Sequence, residues 1–250
     1  MGFFSELFQK TVIEWDEYRD DVIFWKHPNK EIKKRSLLVI KPGQDAVFLA
    51  DGKLEGIFTA EGTYEMRSQV LPRLRTLAGY RGNKIRAEVI FINTKEFTMT
   101  WGTKNAVQVP FPGFPAGIPV RAFGTYSLGI GSDIEDTVAM LDILAGVKAM
   151  YTVEDVRLKV DSMLDQLLMK WIMQEGKDVV SLQSRSQQIA KGIEEDIDYQ
   201  LRLMGMKVSN FKVSSFSYPK EIQDRINQAA AEGLLSGTAY GRRRETGGGY

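Results

Sequence analysis

Few residues in this chain have a type and spacing suited to chemistry. The single histidine, His27, stands before Pro28 in a turn-like stretch and has no acid or nucleophile in a recognisable relation to it. The usual base of a serine or cysteine triad is therefore missing. There is no cysteine, which excludes disulfides, thiol nucleophiles and thiolate metal ligands. Glu194, Glu195, Asp196 and Asp198 crowd together and could bind a divalent ion, but on a helix they point in several directions. An exposed charged face is the plainer reading. Gly129-Ile130-Gly131 follows a strand pattern and precedes a helix pattern, as a dinucleotide loop would. The third glycine position holds Ile134, and the flanking chain is not a βαβ unit, so strand end and turn is the better reading. Arg73, Arg75, Arg81 and Lys84, with Gly79 and Gly82, form a basic loop. It suits a lipid headgroup or nucleic acid, or else a solvated connection between strands. Aromatic interleaving is limited to Tyr80, which favours the connection. Arg242-Arg243-Arg244 suits phosphate or anionic lipid, and equally a solubilising end. No catalytic residue, metal site or cofactor is expected.

The elements that would position these groups divide by pattern. From Val22 to Met66 the chain reads as short strands, with apolar runs at Val22–Trp25, Ser36–Ile40, Ala46–Leu49 and Leu54–Phe58. Asp51-Gly52 is a hairpin signal, because both turn positions need positive φ. From Arg86 to Gly131 alternation continues through Val89 and Phe91, then through Phe97, Met99 and Trp101. Asn93-Thr94-Lys95 reads as a turn joining two adjacent strands. Pro110, Pro112, Pro115 and Pro119, with Gly113 and Gly117, predict a loop over 110–119. A long strand then runs from Val120 through Ile130.

Residues 132–236 are mostly helical by pattern. One helix runs from Ser132 to Ala145, and a second from Thr152 to Gln174, opened by Thr152-Val153-Glu154-Asp155 with Asp at the third position after the cap, and with apolar positions Val153, Val156, Val160, Met163, Leu167 and Trp171. A third spans Ser184 to Met204 with Ile189, Ile193, Ile197, Leu201 and Met204 on one face, and Gly205 is placed to cap it. A strand follows, with Met206 and Val208, then Val213 and Phe216 after a phase slip near Ser209-Asn210. A last helix starts at Pro219.

The two ends carry the remaining signals. Over residues 1–15, Phe3, Phe4, Leu7, Phe8, Val12 and Trp15 share one side of a short amphipathic helix. Such a helix suits an interfacial membrane anchor, or packing on its own domain or a neighbouring subunit. Only Lys10 is basic, and Glu6 and Glu14 oppose attraction to anionic lipid. Ile222, Ile226 and Leu234 form an apolar face on the last helix, 219–236, and 237–250 is a Gly- and Arg-rich tail. The net charge of +1 gives no reason to expect nucleic acid as a partner. No stretch is long and apolar enough for a membrane-crossing helix and no signal peptide is visible, so a cytoplasmic location is expected.

Three stretches together, Phe91-Ile92-Asn93-Thr94-Lys95-Glu96-Phe97, Trp101-Gly102-Thr103-Lys104-Asn105 and Val120-Arg121-Ala122-Phe123-Gly124-Thr125-Tyr126, resemble the SPFH (stomatin, prohibitin, flotillin) or Band 7 family. The likeness is to its bacterial branch, often labelled "virion core protein". Ile40-Lys41-Pro42-Gly43-Gln44 resembles the start of that domain, and Gly205-Met206-Lys207-Val208 through Pro219 its closing helix–strand unit. The resemblance implies an α+β fold over 16–218: an antiparallel β-rich half, then helices and the closing unit, then a short C-terminal helix. Many members of the branch add a zinc ribbon. This chain holds no cysteine, so no ribbon function is carried over.

The resemblance implies a non-enzymatic, homo-oligomeric scaffold, peripheral at the inner face of the bacterial cell membrane and acting in envelope stress. Phe3, Phe4, Leu7 and Phe8 would contact lipid, and Ile222, Ile226 and Leu234 would join subunits. It also implies recruitment of partners similar to phage shock protein A. Two alternatives stand beside it. One is a soluble ring or cage without lipid contact. The other is an enzyme or small-ligand binder using the 73–84 and 110–119 loops.

Overall fold

The computed structural model describes residues 11–16, 19–33, 35–50, 52–66, 84–111, 114–146, 148–175, 179, 181–225 and 227–228. The fold is α+β. The expected 16–218 domain divides into two compact units of interleaved segments. The first draws on Met1–Phe97, Leu128–Lys159 and Asp198–Lys207, and the second on Thr98–Ser127, Val160–Ile197 and Val208–Tyr250.

In the first unit, β1 (Val12–Ile13), β2 (Val22–Lys26), β3 (Glu31–Lys33), β4 (Leu37–Ile40), β5 (Gln44–Ala50), β6 (Lys53–Phe58), β7 (Gly62–Glu65), β8 (Lys84–Arg86) and β9 (Glu88–Asn93) precede the crossing to the second. A five-stranded antiparallel sheet forms its core, in the order β13-β2-β9-β5-β6, where β13 is Met150–Thr152. The β5–β6 hairpin turns through Gly52 at φ 74°, as the Asp-Gly pair predicts. β9 lies at the centre. Val89, Ile90, Phe91 and Ile92 are all buried, so this strand has two covered faces rather than the single one that alternation suggested.

The expected pairing across Asn93-Thr94-Lys95 does not form. β9 pairs with β2 and β5, whereas β10 (Phe97–Gly102) belongs to another sheet. The buried Asn93 explains the break. Its amide donates to the Val22 carbonyl at 3.2 Å and its Oδ1 accepts from the Lys95 N–H at 3.1 Å. The Thr94 N–H goes to the Gly43 carbonyl at 3.0 Å. The chain is thus tied to β2 and β5 at the point where a hairpin would have to fold back.

Nor does the expected N-terminal helix reach residue 15. Val12 and Ile13 run parallel to Leu37 and Leu38, extending the small sheet β1-β4-β7. Trp15 is 1% exposed and stacks on Trp25 with centroids 6.1 Å apart. The β-branched pair gains an open strand edge, and the indole gains a buried face that a helix along the surface would not offer. Residues 1–10 lie outside the described residues.

The second unit holds a four-stranded sheet. β11 (Val107–Phe111) and β10 both pair with β12 (Phe114–Ile130), and β14 (Met206–Ser217) pairs with β12 as well. The predicted 110–119 loop is therefore a hairpin, with Val107 opposite Val120 and Val109 opposite Ile118. Pro119 keeps the register opposite Gln108, while a register shift between Val109 and Phe111 leaves Pro110 outside the regular ladder. β12 alternates as expected, burying Val120, Ala122, Tyr126 and Leu128.

β14 shows the expected phase slip. Asn210 adopts φ 54°, and burial passes from Val208 to Phe211. Gly124 of β12 has a steric role: a Cβ there would lie 1.8 Å from the Lys212 carbonyl oxygen and 2.9 Å from the Trp101 Nε1. The Trp101 indole donates to that same carbonyl at 3.1 Å.

Among the described residues, four helical stretches accompany the sheets. α1 (Ile134–Met140) is followed by a π-helical turn, Leu141–Ala145, and starts after Asp133 rather than Ser132. α2 (Val153–Glu175) opens as predicted: Asp155 accepts from the Thr152 N–H at 3.0 Å and from its hydroxyl at 3.1 Å. Its buried stripe is Val156, Val160, Leu164, Leu168 and Ile172. Met163, Leu167 and Trp171 are only half-buried. The predicted stripe departs from this one after Val160 by taking a step of three where the helix keeps steps of four. α3 (Ser186–Arg202) buries Ile189, Ile193, Ile197 and Leu201 as predicted, and Gly205 follows at φ 70°. A helical segment begins at Lys220, where the Pro219 carbonyl accepts from the Ile222 and Gln223 N–H groups, both at 3.0 Å.

Gly124→Ala should destabilise the protein by about 3 kcal/mol, because the carbonyl it meets is backbone and cannot turn aside. Denaturant unfolding checks this. A loss below about 1 kcal/mol would mean that β14 can slide away from β12 at little cost.

Candidate interaction surfaces

Most of the residues picked out for function lie where the structure says nothing. Phe3, Phe4, Leu7 and Phe8, Ile226 and Leu234, and the basic stretch 73–83 fall outside the described residues. Ile222 is described and half-buried on the first turn after Pro219. Tyr218, just before it, donates its hydroxyl to the Val179 carbonyl at 3.2 Å. Burial pushes this phenol up to about 12. That bond ties down the point from which the C-terminal helical segment leaves.

The acidic cluster on α3 is engaged in several separate contacts. Glu194 accepts from the Phe211 N–H at 2.6 Å, and Glu195 lies 3.9 Å from Lys191. Asp196 accepts from the Trp171 indole and the Lys170 amine, both at 2.7 Å. Asp198 takes Arg202 at 3.3 Å. Gly192 permits the Asp196 contact, since a Cβ there would lie 2.2 Å from the Trp171 ring. Glu194 and Asp196 thus fasten α3 to β14 and α2, while Glu195 and Asp198 pair with residues of α3 itself. Among the described residues no cluster of three or more His, Cys, Asp or Glu is arranged to hold a metal ion. Gly129 and Gly131 close β12 ahead of α1, with the Gly131 N–H bonded to the Gly205 carbonyl at 3.0 Å. This is the strand end and turn expected.

Two grooves remain. One, of about 410 Å³, lies in the second unit between α3 and β14. Ser186, Ala190, Lys191 and Glu194 form one wall, and residues 211–214 form the other. Sequence reasoning missed this groove. Its only trace is the phase slip at Ser209-Asn210, which brings Phe211 into the buried series.

The other groove, of about 590 Å³, lies in the first unit and is lined by Asp16, Trp25, Lys26, His27, Lys30 and Lys148 among others. The Asn29 N–H lies 3.2 Å from the His27 Nδ1, and the imidazole meets Trp25 edge-on at 5.7 Å. Lys30 bonds Glu88 at 2.7 Å, and Lys26 lies 3.6 Å from it. The Lys30 hydrogen bond, with Lys26 beside it, holds the Glu88 carboxyl below its ordinary range. Lys148 bonds Asp155 at 2.5 Å. Burial pushes Asp155 up, but Lys148 and the Thr152 donors outweigh it and hold this carboxyl low. The cations here are matched by carboxylates, and among the described residues lining the groove no nucleophile stands against His27. The arrangement suits weak polar contact rather than bond-making.

The profile of the SPFH domain-Band 7 family matches residues 22–234. The chain belongs to that family. It is also 49% identical over 238 residues to a protein of Bacillus subtilis (strain 168) named "Uncharacterized protein YdjI", covering 94% of this chain and 72% of that one. Members of the SPFH family are membrane-associated scaffolds and generally non-enzymatic. Among the described residues no helix is long and apolar enough to cross a membrane.

Asp155→Ala should cost about 1 kcal/mol at neutral pH by removing the cap of α2. Because this carboxyl is held low in the folded state, its contribution is present at neutral pH and lost on acidification through the carboxylate range. Unfolding of the two proteins at both pH values should show the difference shrink in acid. At alkaline pH the sign differs. The Tyr218 phenol is raised in the folded state, so stability should fall from pH 10.0 towards about 12, where the unfolded chain ionises first. Tyr218→Phe should flatten that decline in an alkaline denaturation series.

Proposed function

We propose that this protein is a non-enzymatic, homo-oligomeric scaffold that lies peripherally at the inner, cytoplasmic face of a bacterial membrane and gathers partner proteins under envelope stress. Membership of the SPFH family over residues 22–234 carries this reading. In it, Phe3, Phe4, Leu7 and Phe8 contact lipid, and Ile222, Ile226 and Leu234 join subunits. A single short apolar segment binds lipid weakly, and an assembly of such segments binds through effective concentration. A protein similar to phage shock protein A is a fitting partner. The close matching of cations and carboxylates in the first unit supports a structural rather than catalytic use of its polar groups.

Burial of Trp15 refines the lipid-contacting stretch, because that indole packs on Trp25 inside the first unit. The anchor is therefore assigned to residues before Thr11.

Liposome flotation of the full chain beside a version lacking residues 1–10 tests the proposal. The full chain should float and the shortened one should stay in the soluble fraction. If both float, lipid contact lies elsewhere and the assignment to the four residues fails. If neither floats, while sedimentation still shows an assembly, the soluble ring or cage replaces the membrane scaffold.

A further inference from the structure

The helical stretch 134–145, made of α1 and the π-helical turn after it, turns one side inward and leaves the other uncovered. Met140 and Leu141 are buried, and Asp136 meets the Arg202 guanidinium at 3.6 Å. On the outward side Ile134 is 64% exposed and Ile143 is 46% exposed. Glu135 and Asp142 are exposed there as well, with the half-buried Val138 and Ala139 between them. Steps of seven and eight residues (135 to 142, 134 to 142 and 135 to 143) are close to two helical turns. The four exposed side chains therefore share one side of the stretch. Single apolar residues at a surface are ordinary, but two on one side of so short a stretch make a face.

The face is acidic. Residues 122–147 hold Asp133, Glu135, Asp136 and Asp142 and no lysine, arginine or histidine. Asp133 makes no side-chain bond to the helix it precedes. Among the described residues, Asp133, Glu135 and Asp142 enter no ion pair. Arg202, the cation that reaches this stretch, is shared by Asp136 and Asp198. Lys148, the next cation along the chain, pairs with Asp155.

An occupant suited to this face carries clustered cations beside an apolar ring. The tail does so, with Tyr240 next to Gly241-Arg242-Arg243-Arg244 and a single acid, Glu245, after them. These residues lie outside the described ones. The lengths agree. An extended chain covers about 14 Å from residue 240 to 244, and a helix covers about 10 Å from residue 135 to 142.

We propose that this outward face takes segment 240–244 of a second copy of the chain, with the arginines on Asp133, Glu135 and Asp142 and the tyrosine against the isoleucines. The face belongs to the first unit and the segment to the second, so two different surfaces meet. Such a head-to-tail contact closes a ring or extends a filament. Each exposed ion pair is worth little alone, and repetition through the assembly supplies the strength. The inference rests on the homo-oligomeric part of the proposed function and not on lipid contact.

The chain has no cysteine, so introduced ones report this contact alone. One full-length version carries Ser132→Cys and another carries Gly241→Cys. Mixed and oxidised, the two should form a disulfide-linked pair. Arg242→Glu, Arg243→Glu and Arg244→Glu on the second version should cut the yield about tenfold. Asp133→Lys, Glu135→Lys and Asp142→Lys on the first should do the same. Combining the two charge-reversed versions should restore the yield, which misfolding of either would prevent. Thermal unfolding of each version alone checks that both are folded. With both folded, the proposal is overturned by absence of the linked pair, by an unchanged yield after either reversal, or by no restoration on combining them. Sedimentation of the unaltered chain separates the two readings. An assembly without the linked pair removes this contact alone, and a monomer removes the homo-oligomer with it.

Discussion

The contact on which the second unit depends is the approach of the Lys212 carbonyl to Gly124, completed by the Trp101 indole. It brings three segments distant in sequence to one point and leaves no room there for a side chain. The stacking of Phe211 on Trp101 at 5.0 Å and on Tyr126 at 6.1 Å follows from it, since both rings flank the same joint. So does the direction of the Phe211 N–H, which needs an acceptor away from β12 and finds Glu194. The course of β14 over residues 211–212 is fixed at this joint, with β12 and Trp101 on one side and Glu194 on the other.

Ionisable groups elsewhere serve the architecture in the same way. Glu88 gathers Lys26 and Lys30, Asp155 closes the start of α2 and takes Lys148, and Asp196 holds Lys170 and Trp171 together. A catalytic site needs groups whose surroundings leave them poised for proton transfer or attack. Here the partners of Glu88 and Asp155 hold both carboxyls below their ordinary range. That is the chemistry of a rigid platform. It accords with a family whose members act by assembling at membranes.

Much of this was legible from residue pattern. The β5–β6 hairpin followed from Asp51-Gly52, the cap of α2 from Thr152 and Asp155, the buried face of α3 from its isoleucines, and the slip in β14 from its broken alternation. Each depends on interactions within a few residues, so local sequence carries the information. The three motifs of residues 91–126 lie inside the span 22–234 that matches the family, and they take in the end of β9, Trp101 of β10 and the Gly124 joint.

What failed was decided at a distance. Val12 and Ile13 have a helical pattern with their neighbours, but the open edge of β4 and the face of Trp25 drew them into the sheet. The prolines of 110–119 read as a loop, yet a register shift lets the chain keep its pairing around Pro110. β9 and β10 read as a hairpin, and Asn93 parted them by bonding to β2. The sequence by itself determined the β5–β6 hairpin, the long helices, the cap of α2 and the likeness to the family, since these follow from residue identity and short-range spacing. Only the tertiary structure decided which strands pair and that 12–13 and 110–119 join sheets, because pairing partners are chosen by burial and hydrogen bonding between residues far apart in the chain.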